Sequence, residues 1–312
     1  MVMPKTVTRK QYAIGFGFVI LAAIGLFGIL PRFGDFGSSL QTLQQATPLV
    51  VLAAAGASVL AVFCSALLYM VLSVRRLQYG DTLLVQMSGL LINRVLPAGI
   101  GGLGLNYLYL RAHKHSAVQA TTVVTLNNSI GFMGHILLAL GLVALAPAAF
   151  RDVHLSGRLL LVSVLALLVV GLLLIVIWRW RRPQLQALRL VGRYYAKQPQ
   201  QLVLAVAISF ALTLSNVVSL WLCCQALGIS LSFLAVFVVF TFGIAVGTAT
   251  PTPGGLGGTE AALVAALIAQ HVSAPLALAV ALLYRLVSYW LGLLIGAGAT
   301  VAVRQRHLLR QS

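Results

Sequence analysis

Thr250-Pro251-Thr252-Pro253-Gly254-Gly255-Leu256-Gly257-Gly258-Thr259-Glu260 interrupts an apolar run that otherwise extends from 232 to 270. Proline and clustered glycine break helices, so the run reads as two helical arms joined by a turn. A second stretch is built alike. Asn93-Arg94-Val95-Leu96-Pro97-Ala98-Gly99-Ile100-Gly101-Gly102 interrupts the apolar run 82–110. Pro97-x-Gly99-Ile100-Gly101-Gly102 matches Pro253-x-Gly255-Leu256-Gly257-Gly258 at an offset of 253 − 97 = 156, half of the 312 residues. Non-helical backbone at membrane depth is tolerated only where it is buried in protein or lines a wet cavity.

That the setting is a membrane follows from composition. Hydrophobic residues make up 60% of the chain and charged residues 8%, against about 25% charged in soluble proteins. Mean hydropathy is +1.01. Each span needs roughly 20 apolar residues, and six full spans are expected at 12–30, 48–74, 117–146, 158–178, 201–225 and 276–303. The first follows a basic start (Lys5, Arg9, Lys10) and is too long for a cleaved signal segment.

The net charge is +17, with 21 basic residues against 4 acidic ones. Without a basic soluble module this does not indicate nucleic acid; it marks cytoplasmic loops and contacts with anionic lipid. Most of the basic residues fall at 5–10, Arg75-Arg76, Arg111 and Lys114, 179–197, and 304–310. Placing these clusters inside satisfies the positive-inside rule and puts both termini in the cytoplasm. The segment 82–110 must then enter and leave on the cytoplasmic side, and 232–270 on the opposite side. Both become re-entrant hairpins. The same offset of 156 carries the first three spans onto the last three with opposite orientation. The expected fold is therefore an all-α polytopic membrane protein. It forms a single membrane domain, 1–312, of two inverted-topology repeats, 1–156 and 157–312. Each repeat holds about three transmembrane helices and one re-entrant helical hairpin. Such repeats point to a transport site near the midplane.

Ionisable residues inside spans are functional candidates: Arg94 before the first break, Glu260 after the second, and Arg285 about three turns into the last span. Thr259 is the expected cap of the returning helix arm, and a carboxylate is favoured at such a start. Glu260 either completes that start and pairs with Arg285, or gates a cavity with it. Arginine grips phosphate in a bidentate way, which suits a phospholipid or polyprenyl-phosphate head group. Arg94 is either a second phosphate ligand or an arginine reaching for the interface. The loop residues Pro97, Gly99, Gly101, Gly102, Pro253, Gly255, Gly257 and Gly258 either offer bare amides to an anion or let the hairpin tips pack closely. Tyr289 beside Arg285, and Asn127 and Asn128 in the third span, complete the candidate binding set. His135 reads as packed and bonded, and Gly292-x-x-x-Gly296 as a helix-packing signal. Cys64, Cys223 and Cys224 lie in apolar runs and read as core.

Four acids (Asp35, Asp81, Asp152 and Glu260) provide no carboxylate pair for acid–base work. Nor is there a metal motif, a nucleophile elbow or a phosphate-binding Walker loop. No enzyme activity, metal or cofactor is expected.

The two break motifs, taken with Leu282-Leu283-Tyr284-Arg285-Leu286-Val287-Ser288-Tyr289-Trp290, resemble the lysylphosphatidylglycerol synthase transmembrane region, the flippase-like or UPF0104 family. The resemblance covers most of the chain. It implies lipid handling: in the bifunctional synthases this region moves the aminoacylated lipid between leaflets, and a separate cytosolic domain makes it. The chain ends at Ser312, soon after the last span, so synthase activity is not expected. By position, Glu260 and Arg285 match the family's recurrent charged residues. The expected function is movement of a phospholipid or lipid-linked glycan between the leaflets of a bacterial-type inner membrane. Two alternatives stand beside it. One is a small-solute or ion transporter; the other is an accessory subunit of a glycosyltransferase or lipid synthase. The expected partners are anionic phospholipid or polyprenyl phosphate, such an enzyme, and a second copy of the chain.

Overall fold

The computed structural model describes residues 36–95, 100–145, 195, 198–250 and 252–310. The expected spans 12–30 and 158–178, and the loop residues Pro97 and Gly99, lie outside the described residues. Among the described residues all regular structure is helical. A short helix α1 (Phe36–Gln44) leads into α2 (Pro48–Leu72), α3 (Tyr79–Val95), α4 (Ile100–Ala112) and α5 (Ala117–Leu145). After the undescribed stretch come α6 (Pro199–Ala226), α7 (Phe233–Ala249), α8 (Gly258–Ala269) and α9 (Ala274–Arg285). A π-helical turn, Leu286–Trp290, joins α9 to α10 (Leu291–Gln305).

Local chemistry places the helix starts. Prolines open α2, α6 and α9, where the missing amide hydrogen costs nothing. The Ser232 side chain accepts from the Ala235 amide at 3.2 Å and caps α7. Among the described residues three helical stretches are long and apolar enough to cross a membrane: Pro48–Leu72, Pro199–Ala226 and Ala274–Gln305. They match the expected spans 48–74, 201–225 and 276–303. A helix of 29 residues, α5, occupies the expected 117–146. Both broken runs are two helices each, α3 with α4 and α7 with α8.

The long helices α2 and α6 pack along each other. Small side chains permit the approach. Ala54 is fully buried, Ser58 and Ser219 share a 2.8 Å hydrogen bond, and Ser219 donates to the Ala54 carbonyl at 2.9 Å. One apolar cluster joins α6 to α7, α8 and α9 through Val217, Phe237, Leu263 and Leu278. The other joins the C-terminal half of α2 to α3, α4 and α5 through Leu72, Val85, Tyr109 and Val123. Cys64, Cys223 and Cys224 are all buried free thiols, as core residues are. Large apolar side chains face outward, with Leu49 76% and Leu294 69% exposed. In lipid that exposure carries no penalty, so helix contacts must rest on close packing and hydrogen bonds.

Glycine supplies the close packing. A Cβ on Gly296 of α10 would lie 2.6 Å from the Leu91 amide nitrogen and 2.9 Å from the Met87 carbonyl oxygen of α3. The Gly292-x-x-x-Gly296 motif is thus where α10 meets α3, and Ser88 and Thr300 add a 2.8 Å bond across the same contact. In the hairpins, a Cβ on Gly101 would lie 2.7 Å from the Ile92 carbonyl oxygen, and one on Gly255 2.6 Å from that of Gly247.

Candidate functional site

The turn between α7 and α8 is held by backbone that only glycine enters cheaply. Gly254, Gly255 and Gly257 have φ of +60°, +66° and +85°. The Gly255 amide donates to Thr252 and the Leu256 amide to Pro253. The Gly257 amide donates to Glu260 Oε2 at 2.7 Å. These amides are therefore engaged within the turn. Gly257, not Thr259, is the N-cap of α8. Thr259 lies inside the first helical turn with its side chain against Gly247 and Gly255. The sequence expectation for the cap is corrected by two residues, because the left-handed φ at Gly257 ends the turn there.

Glu260 uses its second oxygen elsewhere. Arg285 Nε donates to Glu260 Oε1 at 2.5 Å, and Arg285 Nη2 to the Gly254 carbonyl at 3.1 Å. The two side chains are 2% and 9% exposed. The carboxylate and the guanidinium neutralise each other, and both also bond to the glycine turn.

The last span is not a single α-helix. Its π-helical turn begins directly after Arg285, and there the Leu291 amide donates to the Leu286 carbonyl five residues back. The Ser288 carbonyl accepts from Arg94 Nη2 at 2.5 Å, while Arg94 Nη1 donates to Leu90 at 2.6 Å. Arg94 is therefore folded inward onto the opposite half of the chain. Its Nε is buried with no hydrogen-bond partner, and it makes no ion pair with a described acid. Tyr289 lies between the two arginines in the chemical sense: its ring centroid is 5.0 Å from the Arg94 guanidinium carbon and 4.4 Å from that of Arg285. The Tyr289 hydroxyl is buried and unpartnered.

Arg94 lines a cavity of about 250 Å³ between α2, α3, α6 and the start of α10. Of the three charged candidates Arg94, Glu260 and Arg285, Arg94 is among the lining residues and the other two are not. The ion pair is buried against the glycine turn, with the Tyr289 ring over the Arg285 guanidinium. The walls bring in polar residues that the sequence reading did not single out: Ser65, Gln86, Asn93, Asn106 and Ser288. They form a chain. Ser65 donates to Gln86 at 3.1 Å, Gln86 to Asn106 at 2.6 Å, and Asn106 to the Gly102 carbonyl at 2.9 Å. The Gly102 amide donates to Asn93 Oδ1 at 2.6 Å. Gln86 and Asn93 are seven residues apart, one helix face, which is the signal that could have found them.

Asn127 and Asn128 are not among the lining residues. Asn128 donates to the Val124 carbonyl of its own helix at 2.7 Å, and Asn127 Oδ1 is buried without a partner. His135 bonds Thr241 at 3.0 Å and stacks on Phe237, packed as expected. The described residues contain no cluster of metal-ligating side chains.

A bundle of long apolar helices, with an arginine and a buried ion pair at its heart, defines a multi-pass helical membrane protein. The family model for the lysylphosphatidylglycerol synthase TM region matches residues 13–296, and the chain belongs to that family. It is also similar to a UPF0104 membrane protein of Pyrococcus horikoshii, 32% identical over 117 residues. That match covers 38% of this chain and spans about a third (34%) of the relative's length.

Proposed function

We propose that the protein moves a phosphate-bearing lipid, a phospholipid or a polyprenyl-phosphate-linked glycan, between membrane leaflets. The observation that carries this reading is Arg94: a cation with no carboxylate among the described residues, lining a cavity between helices whose outer faces are apolar. An uncompensated arginine at membrane depth needs an anion, and a head group can supply it while its chains stay in lipid. Tyr289 contacts Arg94 and Arg285, which Glu260 neutralises, while Asn127 and Asn128 on α5 stay candidates outside the cavity wall. The polar chain from Ser65 to Asn93 offers donors and acceptors to the rest of the head group. Family membership supports a lipid-related role.

The reading includes two inverted repeats with re-entrant hairpins, in an inner membrane, with both termini cytoplasmic. Element lengths support the repeat. The offset of 156 carries 48–72 onto 204–228, beside α6, and 79–95 onto 235–251, beside α7. It carries 100–112 onto 256–268, beside α8, and 117–145 onto 273–301, beside α9 and α10. Lys114 and His271 take left-handed φ (+61° and +62°) in the corresponding turns. The protein acts without enzymatic chemistry, cofactor or metal in this reading, alone or beside a lipid-modifying enzyme.

The test is translocation of fluorescent lipids in proteoliposomes, read with a membrane-impermeant quencher. Arg94→Gln should slow protein-dependent translocation about tenfold or more, the scale of one charge-assisted hydrogen bond, while Arg94→Lys retains part of it. Equal rates for wild type and Arg94→Gln would sink the role of Arg94. Absence of any protein-dependent signal from folded protein would overturn translocation itself and favour a small-anion transporter using the same cavity.

A further inference from the structure

A second polar pocket lies at the end of the bundle, away from the Arg94 cavity. Its volume is about 440 Å³, and it is lined by Arg75, Arg111, Lys114, His115, Ser116 and Gln119. These residues come from the turn after α2, the end of α4 and the start of α5. Three cations converge on one hollow, and neither described acid lines it. Glu260 is consumed by Arg285, and Asp81 is engaged by Arg306 at 3.2 Å. Mutual repulsion would spread three unrestrained cations over the surface. Two features fix the wall of the hollow instead. Arg111 Nη1 is tied to the His115 carbonyl at 3.0 Å. His115, 1% exposed, is pinned by Ser73 at 2.9 Å and by the Leu110 carbonyl at 3.0 Å. Lys114 stands in the left-handed region at φ +61°, where glycine or asparagine would sit with less strain. The start of α5 is closed by a reciprocal pair, Ser116 to Gln119 at 2.9 and 3.2 Å. Its positive end thus faces the same pocket.

We infer that this pocket is a binding site for a phosphate group. Arginine forks and a lysine point charge around a helix start are the donor set that phosphate oxygens fit. The phosphate is carried either by an anionic lipid of the adjacent leaflet or by a soluble ion. The site is separate from the Arg94 cavity and does not depend on the translocation reading.

The experiment measures thermal unfolding of purified full-length protein in neutral detergent, titrated in separate arms with phosphatidylglycerol, phosphatidylcholine, inorganic phosphate and sodium chloride. The variant Arg75→Gln/Lys114→Gly removes two cations, keeps the turn that glycine favours, and spares Arg111. Arg310→Gln, an exposed cation outside the pocket, serves as control. Phosphatidylglycerol alone stabilising wild type and the control, with an apparent affinity reduced about tenfold in the double variant, assigns the site to a lipid phosphate. Inorganic phosphate acting likewise assigns it to a soluble anion. Equal responses of wild type and double variant in every arm, or sodium chloride matching phosphate, overturn the proposal.

Discussion

Arg285 Nε and Glu260 Oε1 are 2.5 Å apart, and 25 residues of chain separate the two partners. Glu260 is also fixed to the Gly257 amide and Arg285 to the Gly254 carbonyl. The pair therefore clamps the turn between α7 and α8 onto the last span. Breaking one side leaves a buried charge uncompensated, which costs about 3–5 kcal/mol. Arg285→Ala and Glu260→Ala should each lower the unfolding midpoint strongly. The double variant Glu260→Gln/Arg285→Met should lie well above the sum of the single losses, because no charge is left behind. Additive losses in thermal unfolding would remove the pair from its clamping role.

Two glycines one helical turn apart should behave differently. A Cβ on Gly292 would lie 2.7 Å from Arg94 Nη2, the end of a flexible side chain. Gly292→Ala should therefore displace Arg94 and reduce translocation with little change in stability. A Cβ on Gly296 meets backbone of α3, so Gly296→Ala must part the helices and destabilise by about 1–3 kcal/mol. Unfolding midpoints and translocation rates of the two variants, measured side by side, check the contrast.

Acid should weaken the turn that carries His115. Burial pushes the His115 imidazole below its ordinary 6.5, assisted by the nearby Arg75 and His113 and opposed by the Leu110 and His113 carbonyls. The folded state thus holds fewer protons than the unfolded chain in this window. Its contribution is present above about pH 6.5 and is lost as pH falls toward the lower folded value. Unfolding midpoints between pH 7.5 and 5 should fall for wild type and fall less for His115→Asn. Parallel curves would refute the assignment.

Inverted topology has its own readout. Arg75 and Ser273 sit in turns that the repeat reading places on opposite faces of the membrane. The three native cysteines are buried, so background labelling is low. A membrane-impermeant maleimide should label Arg75→Cys from the cytoplasmic side only and Ser273→Cys from the other side only. Labelling of both from one side would overturn the inverted arrangement.

Composition and spacing determined the class of protein, the helix breaks and the charged candidates. An apolar span must be a helix in lipid, and Pro253 with Gly254, Gly255 and Gly257 cannot continue one. The sequence also required that Arg94, Glu260 and Arg285 find partners, because an isolated charge at that depth is too costly. The sequence offered Arg285 as one partner for Glu260; the tertiary structure decided between that pairing and its alternative, and decided what Arg94 meets. Arg285 meets Glu260 because the glycine turn brings α8 against α9. Arg94 meets the Ser288 carbonyl, 194 residues away, because α10 packs on α3 and brings the π-helical turn beside it. Residue type states that a buried charge needs compensation; only packing fixes where the compensation comes from, and so which arginine is left to face the cavity.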